Sequence, residues 1–171
     1  VGQYEMDAGV ATWRGIGTAG SAWEVVGSGD YNGDGTDDIL WFNASSGSVG
    51  QYEMNAGVAT WRGIGTAGSA WEVVSSGDYN GDGTDDILWF NASSGAVGQY
   101  EMNNGVATWQ SIGRAGGTWE VVSSGDYNGD GTDDILWFNP VGGSVGQYEM
   151  NDGVATWQGI GTAGGDWEVI A

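Results

Sequence analysis

The chain has 171 residues, a formal net charge of −20, and neither cysteine nor histidine. This charge argues against binding to nucleic acid or to anionic membranes, because both are themselves negatively charged. The lack of cysteine excludes disulfides and thiolate metal sites, and no run of about 18 apolar residues is present to insert into a membrane.

The sequence repeats with a period of 48 residues, and Val-Gly-Gln-Tyr-Glu-Met segments begin at Val1, Val49, Val97 and Val145. Periods of about 40–50 residues are typical of solenoids, propellers and arrays. We therefore divide the chain into a partial unit, three full units and the first strand of a further unit. The predicted bounds are 1–20, 21–68, 69–116, 117–164 and 165–171.

Each full unit is predicted to contain four short β-strands, described here for the second unit. Turns rich in Gly and Asn-Gly separate runs rich in Val, Ile, Trp, Tyr and Phe, which is typical of an all-β chain. The third strand is half polar, with Gln99 and Glu101 opposite Tyr100 and Met102, and we expect it nearer the rim. The strands cover 71–77, 87–91, 97–102 and 106–109, and the Gly-rich stretch 112–117 leads to the next unit.

The second strand of the unit is apolar on both faces, with Ile87 and Trp89 on one face and Leu88 and Phe90 on the other. Such a strand is buried on both sides only where sheets stack face to face. Propeller blades stack in this way around an axis. The sequence therefore predicts an all-β, propeller-type array of four-stranded antiparallel blades.

The string Asp-Tyr-Asn-Gly-Asp-Gly-Thr-Asp-Asp lies between the first two predicted strands of every full unit. It begins at Asp30, Asp78 and Asp126. Oxygen-bearing side chains at positions 1, 3, 5 and 9 surround a glycine at position 6, which is the spacing of a loop that wraps Ca²⁺. An EF-hand would need a glutamate at position 12 and a helix after it, whereas position 12 is tryptophan in all three copies.

The longer string Gly-Asp-Tyr-Asn-Gly-Asp-Gly-Thr-Asp-Asp-Ile-Leu-Trp resembles the FG-GAP/VCBS repeat of integrin α-subunit propellers and of many secreted bacterial proteins. The resemblance covers the full length of the chain, although propellers of that family usually have more blades. It implies one blade per unit, with Ca²⁺ in the loop between the first two strands. The implied ligands are Asp30, Asn32, Asp34, Thr36 (through its carbonyl) and Asp38; Asp78, Asn80, Asp82, Thr84 and Asp86; and Asp126, Asn128, Asp130, Thr132 and Asp134.

We expect the metal to be structural rather than catalytic. Three carboxylates in one loop repel each other without a cation, so Ca²⁺ would stabilise the fold by binding there. The chain contains no His, Cys or Lys to act beside an open metal position. The aspartates that follow each loop threonine are expected to point outward and to add charge without a bond: Asp37, Asp85 and Asp133.

The eleven tryptophans fall into series on the first, second and fourth strands. Packing between blades and stacking on sugar rings are both open interpretations, and packing is favoured for all three series, most strongly for the first two. The fourth-strand series near the rim is the candidate ligand surface: Trp13, Trp61, Trp109 and Trp157. Glutamates that recur in every unit are interpreted as solvated or capping groups, because glycoside hydrolysis needs two carboxylates in different environments.

Two asparagines, Asn43 and Asn91, match the N-glycosylation sequon. They are candidate sites of glycan attachment if the source organism glycosylates secreted proteins.

Three full units would form an incomplete ring with two exposed apolar faces. The chain is therefore predicted to belong to a longer repeat protein, to close into a ring with other copies, or to stack into a fibre. We predict a non-catalytic structural or adhesion module of a secreted or cell-surface protein, with three Ca²⁺ sites. Its partners would be further blades or copies of itself. The alternative function is a carbohydrate-binding, lectin-like propeller with glycan ligands.

Overall fold

The computed structural model describes residues 1–164, and this part of the chain is all β. Its strands form one two-stranded sheet and three four-stranded sheets, all antiparallel and without closure into a barrel. The all-β class and the blade-like four-stranded sheets predicted from the sequence are confirmed. No helix in residues 1–164 is long and apolar enough to cross a membrane. The strand predicted at 165–171 lies outside the described residues.

The strands follow one another as antiparallel neighbours within each sheet. The two-stranded sheet contains β1 (Gly2–Asp7) and β2 (Val10–Gly15). The first four-stranded sheet contains β3 (Glu24–Gly29), β4 (Asp38–Asn43), β5 (Ser48–Asn55) and β6 (Val58–Thr66). The second contains β7 (Glu72–Gly77), β8 (Asp86–Asn91), β9 (Ala96–Asn103) and β10 (Val106–Arg114). The third contains β11 (Glu120–Gly125), β12 (Asp134–Asn139), β13 (Ser144–Asn151) and β14 (Val154–Thr162).

The fourth strand of each sheet is longer than predicted. β10 runs to Arg114, whereas the prediction ended this strand at Trp109. A register shift between Ser111 and Gly113 marks a β-bulge. A bulge accommodates one extra residue without ending the strand, so the Gly-rich stretch 112–117 is strand in its first half rather than a connection.

The core lies between the sheets, as the two-faced second strand predicted. Leu40 and Phe42 of β4 share one buried cluster with Ile87 and Trp89 of β8. The rings of Phe42 and Trp89 meet edge to face with their centroids 5.6 Å apart. The opposite face of β8 joins β12 in a second cluster. Burial of each large apolar side chain contributes about 1.5–3 kcal/mol, and β8 obtains it on both faces.

Neighbouring sheets lie closest together along their first strands. β7 contacts β3 on one side and β11 on the other, and the fourth strands β6, β10 and β14 touch less. Sheets that converge on one edge and diverge on the other are arranged like blades around an axis. The aspartate-rich loops all follow the first strands and therefore lie along the convergent edge.

The third strand is more buried than its half-polar sequence indicated. Gln99 is fully buried, where a polar face near the rim was expected. Its Nε2 donates a hydrogen bond to Glu101 Oε1 at 3.1 Å. The two side chains lie on the same face of β9, two residues apart, so the glutamate accepts a bond from the buried amide nitrogen from within the strand, while Gln99 Oε1 has no partner among the described residues.

Asp85 joins the second sheet to the loop of the first sheet, and Asp133 joins the third sheet to the loop of the second; we call these two residues the bridging aspartates. The amide of Asp85 donates to Asp30 O at 3.0 Å, and Asp85 Oδ2 accepts a hydrogen bond from the Asp30 amide at 2.8 Å. Asp133 makes the same two bonds with Asp78, at 2.9 and 3.1 Å. The expectation that Asp85 and Asp133 point outward is therefore wrong. Only the stacked fold brings the preceding loop within their reach.

Gly77→Ala should destabilise the protein, whereas Gly125→Ala should be tolerated. A Cβ at Gly77 would collide with the Asp133 carboxylate, while the nearest atom to a Cβ at Gly125 lies in the Tyr127 ring at 3.7 Å. We expect Gly77→Ala to lower the free energy of unfolding by about 1–3 kcal/mol. Urea denaturation of both variants measures this difference. Equal losses in the two variants would contradict the role given to the bridging aspartate.

Candidate metal centre

The aspartate-rich loop connects the first two strands of each four-stranded sheet. In the first sheet it runs from the end of β3 at Gly29 to the start of β4 at Asp38. Gly33 and Gly35 have φ values of 75° and 85°, a region that strongly favours glycine. These two residues allow a coil tight enough for backbone amides to face the loop carboxylates.

Asp30 organises the first loop through the backbone. Its Oδ1 accepts hydrogen bonds from the amides of Gly33 and Asp34 at 2.8 and 3.0 Å, and its Oδ2 accepts one from Gly35 at 2.7 Å. Asp34 Oδ1 accepts a bond from the Thr36 amide at 2.9 Å. The same bonds recur in the other two loops. Asp30 Oδ2 and Asp34 Oδ1 each accept only one of these bonds and keep a further lone pair, so the loop retains capacity for a cation.

The predicted ligands share a loop, but their oxygen atoms do not all converge on one position where a cation could bind. Asn32 Oδ1 accepts a bond from the Asp34 amide at 2.9 Å, and its Nδ2 lies 3.3 Å from Asp34 Oδ2. Thr36 is exposed, whereas its equivalents Thr84 and Thr132 are buried. Within residues 1–164, no three acidic side chains are gathered at the separations of a metal site. Like charges repel at short range, so closer approach of the carboxylates requires a cation between them.

The aspartate at loop position 9 begins the second strand and is fully buried in all three sheets: Asp38, Asp86 and Asp134. Its Oδ1 accepts a hydrogen bond from a backbone amide of the third strand, as Asp86 does from Met102 at 2.8 Å. The Oδ2 atoms of Asp38 and Asp86 have no hydrogen-bond partner among the described residues. Leaving a buried carboxylate oxygen without a partner costs considerable free energy.

These buried carboxyls also resist ionisation in the metal-free chain. Burial raises the pKa of Asp86 to about 8, the Met102 amide opposes the shift, and the charges of Asp82 and Asp78 add to it. Burial likewise raises the pKa of Asp38 to about 6, and that of Asp134 is raised for the same reason. The charged loop carboxylates are thus close enough to the buried aspartate to raise its pKa.

The residues of the first two loops fit a calcium ion. All of the donors are oxygens, the ligand type that Ca²⁺ takes in proteins. The partnerless oxygens of Asp38 and Asp86 and the nearby loop carboxylates would each gain from a divalent cation between them. The third loop differs, because Asp134 Oδ2 accepts a hydrogen bond from the Tyr127 amide at 3.2 Å.

The fourth-strand tryptophans combine packing with exposure. Their side chains remain roughly half exposed, from 42% for Trp109 to 59% for Trp13. The indole of Trp109 lies against Gly98, where a Cβ would collide with it. Its ring also meets Tyr100 and Trp71 edge to face, with centroids 5.5 and 5.0 Å apart. One side of the indole is therefore structural, and the other is free for a ligand.

Each fourth-strand tryptophan of the four-stranded sheets lines an aromatic pocket. In the second sheet the walls are Trp71, Tyr100, Trp109 and the connection 66–68, and the volume is about 400 Å³. Equivalent pockets of about 240 and 300 Å³ lie in the first and third sheets. The prediction for Trp71 is packing between blades, and its place in this pocket was missed because the connection that brings it to β10 has no periodic pattern of its own.

The two sequon asparagines end the second strands of their sheets. Asn43 Oδ1 accepts a hydrogen bond from the Ser45 amide at 3.1 Å, and Asn91 Oδ1 accepts one from the Ser94 amide at 3.1 Å. Both side chains thus help to form the turn that follows. Glycan attachment at these residues stays a prediction.

A family model described as FG-GAP-like repeat matches residues 30–89 and again residues 78–137. Each match begins at the first aspartate of one loop and ends in the second strand of the next sheet. Each match therefore includes two complete loops, together with the bridging aspartate that contacts the first of them. FG-GAP-like repeats are in general structural or adhesion modules rather than enzymes. No curated protein matches the chain.

Metal-free protein should become more stable as the pH falls from about 8 to about 5. The folded-state pKa values of Asp86 and Asp38 lie above the ordinary value of 3.8. The folded state therefore binds these protons first, and the stability they add is lost again as the pH rises through about 6 and 8. Urea denaturation at several pH values measures the slope. Asp86→Asn should flatten it, which separates the buried group from general acidic repulsion, and a flat wild-type profile would contradict the prediction.

Proposed function

Since the chain belongs to the FG-GAP-like repeat family, we propose that it is a calcium-binding structural or adhesion module without catalytic activity. We place it in a secreted or cell-surface protein. The observation that carries the proposal is the buried, partnerless Oδ2 of Asp38 and Asp86 beside the acidic loops. Extracellular calcium suits such sites, because extracellular modules bind Ca²⁺ with dissociation constants on the order of 0.1–1 mM.

The charge balance of the chain supports a bound cation. Only three basic residues accompany 23 acidic ones. Two of the three, Arg14 and Arg62, pair with Glu5 and Glu53 at 2.8 and 2.9 Å. No basic side chain among the described residues forms an ion pair with a loop aspartate. Three calcium ions would offset six of the negative charges, in the loops where the acids are concentrated.

We further propose that the sheets are blades of a larger assembly, either a ring or a fibre formed with further blades or with other copies. The second sheet is covered on both faces, whereas Tyr127 of the third sheet is 45% exposed and its equivalents Tyr31 and Tyr79 are fully buried. The exposure of Tyr127, where the next sheet buries its equivalents, supports the proposal that another blade packs on this face of the third sheet. Light scattering with and without calcium would detect discrete rings or fibres.

Calcium should stabilise the protein, and Asp86→Asn should reduce that effect. Each site would add about 2.7 kcal/mol to the free energy of unfolding at a calcium concentration 100 times its Kd. In metal-free protein the same substitution should be stabilising, because it removes a buried carboxylate whose pKa is raised to about 8. The sign of its effect on the free energy of unfolding therefore reverses between the two conditions.

Asp37→Asn is the matched control for this experiment. Asp37 has the same charge and precedes a predicted ligand, but its side chain is exposed. It should change stability little in either condition. A wild-type Tm that is the same with calcium and after its removal would contradict the proposed function.

Carbohydrate binding is the second candidate, and the three equivalent aromatic pockets favour it. Two indoles and a phenol surround each pocket, and flat aromatic faces can stack on sugar rings. Backbone groups of the connection 66–68 supply the polar contacts that orient a small ligand. In this function each sheet would bind one sugar.

Trp109→Ala should weaken glycan binding if this second function holds, with loss of one of three equivalent sites. Trp13→Ala is the control, because among the described residues the Trp13 ring pairs with Tyr4 alone. A glycan array followed by calorimetry on the best ligand measures both variants. No binding by the wild type, or equal losses in the two variants, would refute a lectin-like role.

A further inference from the structure

Each bridging aspartate bonds both backbone groups of the first residue of the preceding loop. Asp85 bonds both the amide and the carbonyl of Asp30, and the Gly105 amide donates to Tyr31 O at 3.2 Å. Three hydrogen bonds from the second sheet thus fix two consecutive residues of the first loop. The third sheet holds the second loop in the same way, through Asp133 and Gly153.

The third loop has the same nine-residue sequence but a different arrangement. In the first two loops the tyrosine amide donates to the glycine carbonyl two residues before it, at 3.0 Å for both Tyr31 and Tyr79. In the third loop the Tyr127 amide donates to Asp134 Oδ2 at 3.2 Å, and the tyrosine ring is 45% exposed. Within residues 1–164, no bridging aspartate contacts Asp126. Since the sequences are identical, the difference comes from the neighbouring sheet.

The atom that changes partner belongs to the predicted calcium site. Oδ2 of the position-9 aspartate has no partner in the two loops that a following sheet holds. In the third loop, which none of the described sheets holds, the same oxygen accepts a hydrogen bond from the Tyr127 amide. A cation at the third loop must therefore compete with that hydrogen bond or displace it.

We propose that each calcium site is completed by the repeat that follows it, with Asp85 and Asp133 as positioning residues for the first and second sites. They keep the tyrosine amide away from the buried carboxylate, which leaves its Oδ2 free for the metal. The third site consequently binds calcium more weakly than the first two. This inference rests on the proposed function, and it makes stacking of a repeat and calcium binding by its neighbour mutually reinforcing.

Calorimetric titration of the metal-free chain with calcium tests the proposal directly. We expect two tighter sites and one site about tenfold weaker, since a charge-assisted hydrogen bond governs the difference. Asp85→Ala should convert the first site to the weaker class and leave one tight site. Asp133→Ala should do the same to the second site.

Asp37→Ala is the matched control, because Asp37 occupies the same place in its own loop but is exposed. It should leave two tight sites, and it thereby measures what the loss of one negative charge beside a loop does to calcium affinity by itself. Asp85→Asn should retain the tight first site, because the amide oxygen of asparagine can still accept the Asp30 hydrogen bond. If Asp85 acted only through its charge, Asp85→Asn would instead lower the calcium affinity of the first site as much as Asp85→Ala does.

The wild-type titration is decisive even if a bridging variant does not fold, which near-ultraviolet circular dichroism of the tryptophans would reveal. Three equivalent sites in the wild type would overturn the inference and leave the proposed function intact. Equal affinities for Asp85→Ala and Asp37→Ala would also overturn it. A chain that binds no calcium would overturn the proposed function, and this inference with it.

Discussion

The second strand of each sheet is apolar on both faces, so it can be buried only with another sheet on either side. β8 meets this condition between β4 and β12. The same stacking encloses the first residue of the strand, Asp86, whose carboxylate enters the interior with one bonded and one partnerless oxygen. A demand for apolar burial thereby produces a buried carboxyl group whose second oxygen the protein alone does not satisfy.

The acidity of the chain makes external cations the natural counter-charge. The two ion pairs of the described residues, Arg14 with Glu5 and Arg62 with Glu53, are partly exposed, and such pairs contribute about 0–1 kcal/mol. They lie on the third and fourth strands or their equivalents, and neither pair includes a loop aspartate. Stability and calcium concentration should therefore be linked in this fold, as they are wherever a ligand binds only the folded state.

Much of the fold could be predicted from the sequence, because a period of 48 residues and an alternation of two within strands are local patterns. The two faces of β8 follow directly from Ile87, Leu88, Trp89 and Phe90. The length of β10 was missed because a bulge interrupts its alternation. The burial of Gln99 was missed because its partner, Glu101, is itself charged.

The candidate site was less predictable, since part of it depends on contacts between repeats. The loop aspartates and their spacing are visible in the sequence, and so is the strand that follows them. The role of Asp85 is not, because its partner Asp30 lies 55 residues away and in another sheet. The separate behaviour of Tyr127 could not be read from three identical loop sequences, since only the neighbouring sheet distinguishes them.

A crystal structure of the chain grown in calcium, with anomalous data, is the most direct test of the central claim. The account predicts an ion about 2.3–2.6 Å from the Oδ2 atoms of Asp38 and Asp86, with the loop carboxylates drawn in around it. A well-ordered structure in which these oxygens bind only protein groups or water, at millimolar calcium, would contradict it.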